Sequence, residues 1–380
     1  MAKAFLSGAF DQANMSGHLT GTIRNHIGFM TLDRAKALNA LSLDMIRALT
    51  ALLREWQANE DVFAVVIRSS SQRAFCAGGD IRFFHEVGTA GPAGGSALLE
   101  DFFTEEYALN HLIHHYSKPY IALMDGIVMG GGMGISQGSA QSQLRIVTDK
   151  TAMAMPEVHI GLFPDVGGGY FLSRLPGKLG VWLGLTGQTI AAADALYAGL
   201  ADLFLPSAAL PELLTMLETE PMASGKQITE RISRFAAPYR SEADPENSML
   251  ARQRAEIDRH FAHDSIAAIM TSLAGDNSDF ADKSLSAMHR GSPLLLCVTL
   301  EQLRRGATLS VADCLRMERV MIRRSFEGTE VLEGIRARVI EKDNAPRWMP
   351  ANVAEVSAEQ VSAYFVEAWP DYAHPLRDLA

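Results

Sequence analysis

Asp125-Gly126-Ile127-Val128-Met129-Gly130-Gly131-Gly132-Met133-Gly134 is the stretch on which the fold turns. An apolar run, Tyr120 to Met124 (YIALM), leads into it, and a segment able to form a helix leaves it. Two other glycine segments flank it in sequence: Ala74 to Arg82 (AFCAGGDIR) and Met155 to Gly169 (MPEVHIGLFPDVGGG). The first two turns each follow a predicted strand and precede a predicted helix. Each therefore presents unpaired backbone N–H groups at a helix amino terminus, where glycine lets an oxygen approach the main chain closely. Two such turns meeting would make an oxyanion hole, which stabilises charge developing on a carbonyl oxygen.

Working outward, Phe63 to Arg68 (FAVVIR) and Leu144 to Thr148 (LRIVT) read as further buried strands. Ser42 caps a helix whose Met45, Leu49, Leu52 and Trp56 recur on one face. This strand and helix alternation predicts an α/β fold for residues 1–205. Of the 31 glycines, 25 precede residue 205, and beyond Pro206 the chain changes character. Residues 206–380 read as a mainly helical region, with helices at Met249 to Phe261, Pro293 to Arg305, Val311 to Phe326 and Val331 to Glu341. Gly306 and Gly328 stand where helices would stop, Ser310 with Asp313 matches a capping box, and Ser241 to Asn247 reads as a loop.

Composition excludes several classes. With 34 Lys plus Arg against 44 Asp plus Glu, the net charge of −10 argues against nucleic acid as a partner. Cys76, Cys297 and Cys314 are far apart and lack metal-ligand spacing, so a disulfide framework and a cysteine zinc site are both unsupported. His111, His114 and His115 lack the Glu that a HExxH site requires, and no metal is expected. No uncharged apolar run is long enough to span a membrane, since Asp125 and five glycines interrupt the longest candidate. The amino terminus has neither the apolar core of a signal peptide nor the Arg-rich character of a transit peptide, which predicts a cytoplasmic chain. Gly134-Ile135-Ser136-Gln137-Gly138 fits a nucleophile-elbow pattern, but no strand abuts that turn and the match reads as chance.

The three glycine segments, AFCAGGDIR, DGIVMGGGMGIS and AMPEVHIGLFPDVGGGYFLSRL, follow Asp33 to Leu41 (DRAKALNAL). In that order they resemble the crotonase (enoyl-CoA hydratase/isomerase) superfamily, and within it the 3-hydroxyisobutyryl-CoA hydrolase branch. The likeness runs from Gly17 to Leu205 and resumes at Ser325 to Glu327, Glu333 to Ala337 and Asp343 to Trp348. It implies a spiral of ββα units that binds an acyl-CoA thioester, with no cofactor beyond the CoA of the substrate.

By motif position, the resemblance gives the oxyanion-hole N–H groups to Gly79 and Gly131, and CoA contacts to Arg34, Lys36 and Arg82. It gives catalysis to Glu157 and Asp165, and a place near the substrate hydroxyl to Glu106, with neighbouring Glu105 a rival for that place. Each has a plainer alternative: a solvated charge for the three cations, a helix-start carboxylate for Glu157, a turn residue for Asp165.

Hydratases that the family resembles carry one acid shortly after the glycine triplet and another in the Pro-Glu motif. Here Gly134 stands at the first place, while Asp165 replaces a frequent glycine. The exchange favours hydrolysis of a short 3-hydroxyacyl-CoA, with Glu157 as nucleophile or general base, and implies a place in valine catabolism. Enoyl-CoA hydratase or isomerase chemistry is the alternative within the family, and a silent scaffold is the alternative outside catalysis. The helical region is expected to complete the pocket, to bring copies of the chain together, or both.

Overall fold

The computed structural model describes residues 13–14, 17–90, 96–137 and 143–380. Its strands are Ala13–Asn14 (β1), Leu19–Arg24 (β2), Ile27–Leu32 (β3), Ala64–Ser69 (β4), Ala74–Cys76 (β5), Tyr120–Met124 (β6), Ile127–Met129 (β7), Leu144–Val147 (β8), Ala152–Ala154 (β9) and Leu203–Phe204 (β10). The larger sheet has the order β1-β2-β3-β4-β6-β8-β10 and is parallel from β3 onward. A smaller parallel sheet has the order β5-β7-β9.

Each turn of the chain thus lays one strand in the large sheet and the next in the small one, then enters a helical segment. β4 and β5 lead to Ile81–Ala90, β6 and β7 to Gly131–Gly134, and β8 and β9 to the 3-10 turn Glu157–Ile160. Stacking the three repeats in register brings all three glycine segments to one end of the small sheet. This is the expected spiral of ββα units.

Alternation along the large sheet separates two cores. Ile27, Phe29, Ala64, Val66, Ile121, Leu123 and Ile146 face Leu213 and Leu217 of helix Leu210–Thr219 and Ile228 and Ile232 of helix Gly225–Ala236. Met30, Leu32, Val65, Ile67, Ala122, Met124 and Val147 face the opposite way, into the core that includes helix Leu43–Ala58 and the helices beyond Pro293. Strands buried on both faces explain why these runs are almost continuously apolar. The Ser42 cap forms as read, accepting from Met45 N–H at 3.3 Å, and Met45, Leu49, Leu52 and Trp56 are all buried.

Helix Pro293–Gly306 stops at Gly306 as expected, and three other local expectations differ in detail. Gly306 also allows a close contact, since a Cβ there would meet the Gly169 carbonyl oxygen at 2.1 Å. Helix Glu330–Ile335 passes into a π turn, Arg336–Ile340, where one continuous helix was expected. Ser310 accepts from Asp313 N–H, but its hydroxyl donates to the Asp313 carboxylate, so only half of a capping box forms. The stretch read as a loop is wound into short 3-10 turns, Ala237–Ala243 and Pro245–Asn247.

Candidate active site

The first glycine turn is locked by the segment that precedes the first helix. Asn39, buried with φ +55°, accepts from Arg34 N–H at 2.8 Å and donates to the Ala74 and Phe75 carbonyls at 3.1 and 3.0 Å. Leu41 N–H donates to Gly78 O and Asp80 N–H to Leu41 O, at 2.8 and 3.0 Å. Gly78, at φ +104°, then turns the chain back towards the second glycine segment, a backbone conformation that side chains resist. A Cβ on Gly131 would stand 3.3 Å from Gly79 N, so the two turns meet edge to edge. Among the described residues, neither the Gly79 nor the Gly131 N–H donates to a backbone carbonyl.

Both donors border a cavity of about 370 Å³. Three carboxyl groups share it: Glu106, Glu157 and Asp165, each less than one-tenth exposed. Glu106 Oε1 would lie 2.7 Å from a Cβ on Gly131, and Glu157 Oε1 2.8 Å from one on Gly130, so these acids flank the glycine triplet. Glu106 Oε1 and Glu157 Oε2 are buried without a hydrogen-bond partner. Glu105, by contrast, is turned outward and pairs with Arg47 at 2.6 Å.

Burial, then the charge of Asp165, pushes the Glu106 and Glu157 carboxyls well above the usual range. Asp165 is pushed up to about 6 by burial, opposed by a hydrogen bond that Tyr107 Oη donates to its Oδ2 at 2.7 Å. Removing that donor takes away stabilisation of the charged form. Tyr107→Phe is therefore expected to move the Asp165 titration upward, and with it the acid limb of the rate profile. A limb that stays in place in a folded variant shows that Asp165 does not titrate in the rate-limiting step.

Asp165 is held from the helical region. Glu318, fully buried, accepts from Gly167 N–H and Gly169 N–H at 2.7 and 2.8 Å. Gln302 Nε2 donates to Glu318 Oε1 at 3.2 Å and to Pro164 O at 2.7 Å. The next residue, Arg319, pairs with Glu100 and donates to Thr104 on helix Ala97–His114, which also carries Glu106 and Tyr107. One helix, Val311–Glu327, thereby fixes both carboxylate-bearing elements.

The three cations expected at CoA lie outside the cavity lining. Arg34 pairs with Asp80 at 2.7 Å, Lys36 is exposed, and exposed Arg82 reaches Val339 O at 3.4 Å. His159, Arg290 and Arg338 do line the cavity. His159 accompanies Glu157 on the same 3-10 turn, but the two arginines come from distant helical segments with no local motif to mark them. Among the described residues no three His, Cys, Asp or Glu side chains are placed to hold a metal ion, and no helix there is long and apolar enough to cross a membrane.

Comparison with known proteins agrees with this architecture. Residues 27–365 match the family model described as enoyl-CoA hydratase/isomerase. The chain is 41% identical over 339 residues to the "3-hydroxyisobutyryl-CoA hydrolase, mitochondrial" of Gallus gallus, covering 89% of this chain and 86% of the relative. It is 39% identical over 341 residues to the Homo sapiens protein of the same name, with the same coverages. Among solved structures, a carnitinyl-CoA dehydratase from Mycobacterium thermoresistibile superposes with TM-score 0.84 at 36% identity, over 93% of this chain and 97% of that one. An enoyl-CoA hydratase from Rhodobacter sphaeroides gives 0.82 at 37%, over 92% and 98%. The chain belongs to the enoyl-CoA hydratase/isomerase family.

Proposed function

We propose that this chain hydrolyses a short 3-hydroxyacyl-CoA thioester, 3-hydroxyisobutyryl-CoA foremost, to the hydroxy acid and CoA. The observation that carries this reading is the pairing of Glu157 with Asp165 in a cavity bordered by two undirected glycine N–H groups. The names of the curated relatives support the same substrate.

In this reading the thioester oxygen accepts from Gly79 and Gly131 N–H, and the ionised Glu157 carboxylate supplies the attack at the carbonyl carbon. The carbon–sulfur bond breaks, CoA leaves as thiolate and takes up a proton, and water completes the acid. Direct attack forms a mixed anhydride between Glu157 and the acyl group, and its hydrolysis by water releases the hydroxy acid and restores the Glu157 carboxylate. Asp165 and Glu106 hold the substrate hydroxyl. Residues 1–205 form the acyl-CoA-binding core, and residues 206–380 close the pocket and carry whatever self-assembly occurs. No cofactor beyond CoA is called for, and the reaction belongs to valine catabolism. The curated relatives are named as mitochondrial proteins, which does not bear out the cytoplasmic location expected from the sequence.

A second reading, enoyl-CoA hydration, draws support from Glu106, which gives the cavity another carboxyl opposite Glu157. One assay separates the two. With 3-hydroxyisobutyryl-CoA the expected product is free thiol, and with crotonyl-CoA the double-bond absorbance persists. Loss of that absorbance without thiol release makes the chain a hydratase.

A further inference from the structure

We propose that Arg290 and Arg338 form a subsite for an anionic oxygen group of the acyl-CoA substrate, a phosphoryl group of CoA or a carboxylate of the acyl chain. Both residues line the cavity that holds Glu157 and Asp165, Arg290 exposed and Arg338 half-buried. They come from separate segments: Arg290 caps helix Asp279–His289, and Arg338 lies in the π turn Arg336–Ile340.

Neither forms an ion pair among the described residues. The acids nearest Arg338 in sequence are already taken, since Glu333, Glu341 and Asp343 all pair with Arg336. That leaves Arg338 with one neutral acceptor, Asn344 Oδ1 at 2.9 Å, and a buried Nε without a partner.

The two guanidinium groups also sense one another. Burial first, then the charge of Arg290, lowers the Arg338 pKa, and both cations help burial to bring His159 down to about 4. His159 is therefore neutral, with Nε2 against Ala287 O at 3.1 Å, and supplies no compensating charge. The two like charges repel, and although Glu157 and Asp165 line the same cavity, neither pairs with an arginine; a bound oxyanion relieves that repulsion while accepting charge-assisted hydrogen bonds. The planar fork of arginine suits phosphate and carboxylate alike.

The inference deepens the thioester reading and rests on it for the identity of the ligand. Its test compares the wild type with R290Q, R338Q and the double variant, with melting temperature as a check on folding. Thiol release is measured with the CoA thioester, with the corresponding pantetheine thioester, which lacks phosphates, and with succinyl-CoA, whose acyl chain ends in a carboxylate. Binding of free CoA is measured by calorimetry.

A phosphoryl ligand predicts that KM for the CoA thioester rises about tenfold or more per arginine at constant kcat, that CoA binding weakens in parallel, and that the pantetheine thioester is unaffected. A carboxylate ligand predicts that only succinyl-CoA suffers. Folded variants with unchanged KM on all three substrates and unchanged CoA binding overturn the subsite. If the wild type binds CoA but releases no thiol from any substrate, the hydrolase reading fails, while calorimetry with free CoA still decides the phosphoryl form of the subsite and calorimetry with succinyl-CoA the carboxylate form.

Discussion

Glu157→Gln is expected to lower thiol release by about a thousandfold or more while leaving CoA binding intact, because an amide is neither nucleophile nor base. The substitution keeps shape and volume in a cavity where Glu157 already lacks a partner at one oxygen, so little packing is disturbed. Steady-state kinetics paired with calorimetry for CoA reads both parts. A folded variant that turns over at the wild-type rate removes Glu157 from the chemistry.

The same variant carries a stability signature of fixed sign. A carboxyl whose folded pKa is raised binds more protons in the native state than in the unfolded chain. Its burial therefore costs stability as pH climbs from the unfolded value, about 4.5, through the raised folded one. Glu157→Gln escapes that cost. Its melting temperature should exceed that of the wild type at pH 8, and the difference should vanish below pH 4. This is the trade expected when a protein keeps a poorly solvated charge for catalysis.

Most of the frame was legible because it is local. Glycine turns, the strands leading into them and the Ser42 cap depend on neighbours a few residues apart, and all appear in place. The choice between Glu105 and Glu106 was not legible, since both sit on one helix and only its packing against Phe84 and Phe326 turns one inward. Tyr107 could have been found: it follows Glu106 in the same apolar, aromatic helix, and a buried phenol seeks a partner. Glu318, Gln302, Arg290 and Arg338 reach the site from far along the chain. No spacing rule joins them to the glycine motifs, and only the folded arrangement shows the contact.

Gly134 illustrates the same limit from the other side. Its sequence position invites restoring the acid that hydratases carry there. A Cβ at Gly134, however, would lie 2.6 Å from Val166 Cβ and 2.8 Å from Asn110 Nδ2. Val166 itself holds φ +53°, an unusual conformation for a β-branched residue, between Asp165 and the third glycine run. The glycine is thus part of how Asp165 is presented: the residue that replaced an acid made room for the loop bearing the other. Hydratase geometry cannot be reinstated by one substitution without displacing that loop.

The second large effect is expected at Gly131. Gly131→Pro deletes the N–H directed at the thioester oxygen, and loss of one such donor typically costs on the order of 3 kcal/mol, about 100-fold in rate. Gly131 is the first residue of helix Gly131–Gly134, where no intrahelical bond uses that N–H. The added ring atoms must also clear Glu106 Oε1, which a Cβ would approach to 2.7 Å, so a second variant is needed to separate the two causes. Gly131→Ala introduces the same crowding and retains the donor. Thiol release should therefore fall much further in Gly131→Pro than in Gly131→Ala, with kcat carrying the difference, because the lost bond strengthens as the carbonyl oxygen gains charge. Equal losses in the two variants assign the effect to displacement of Glu106. Near-normal turnover by a folded Gly131→Pro places the oxyanion hole elsewhere.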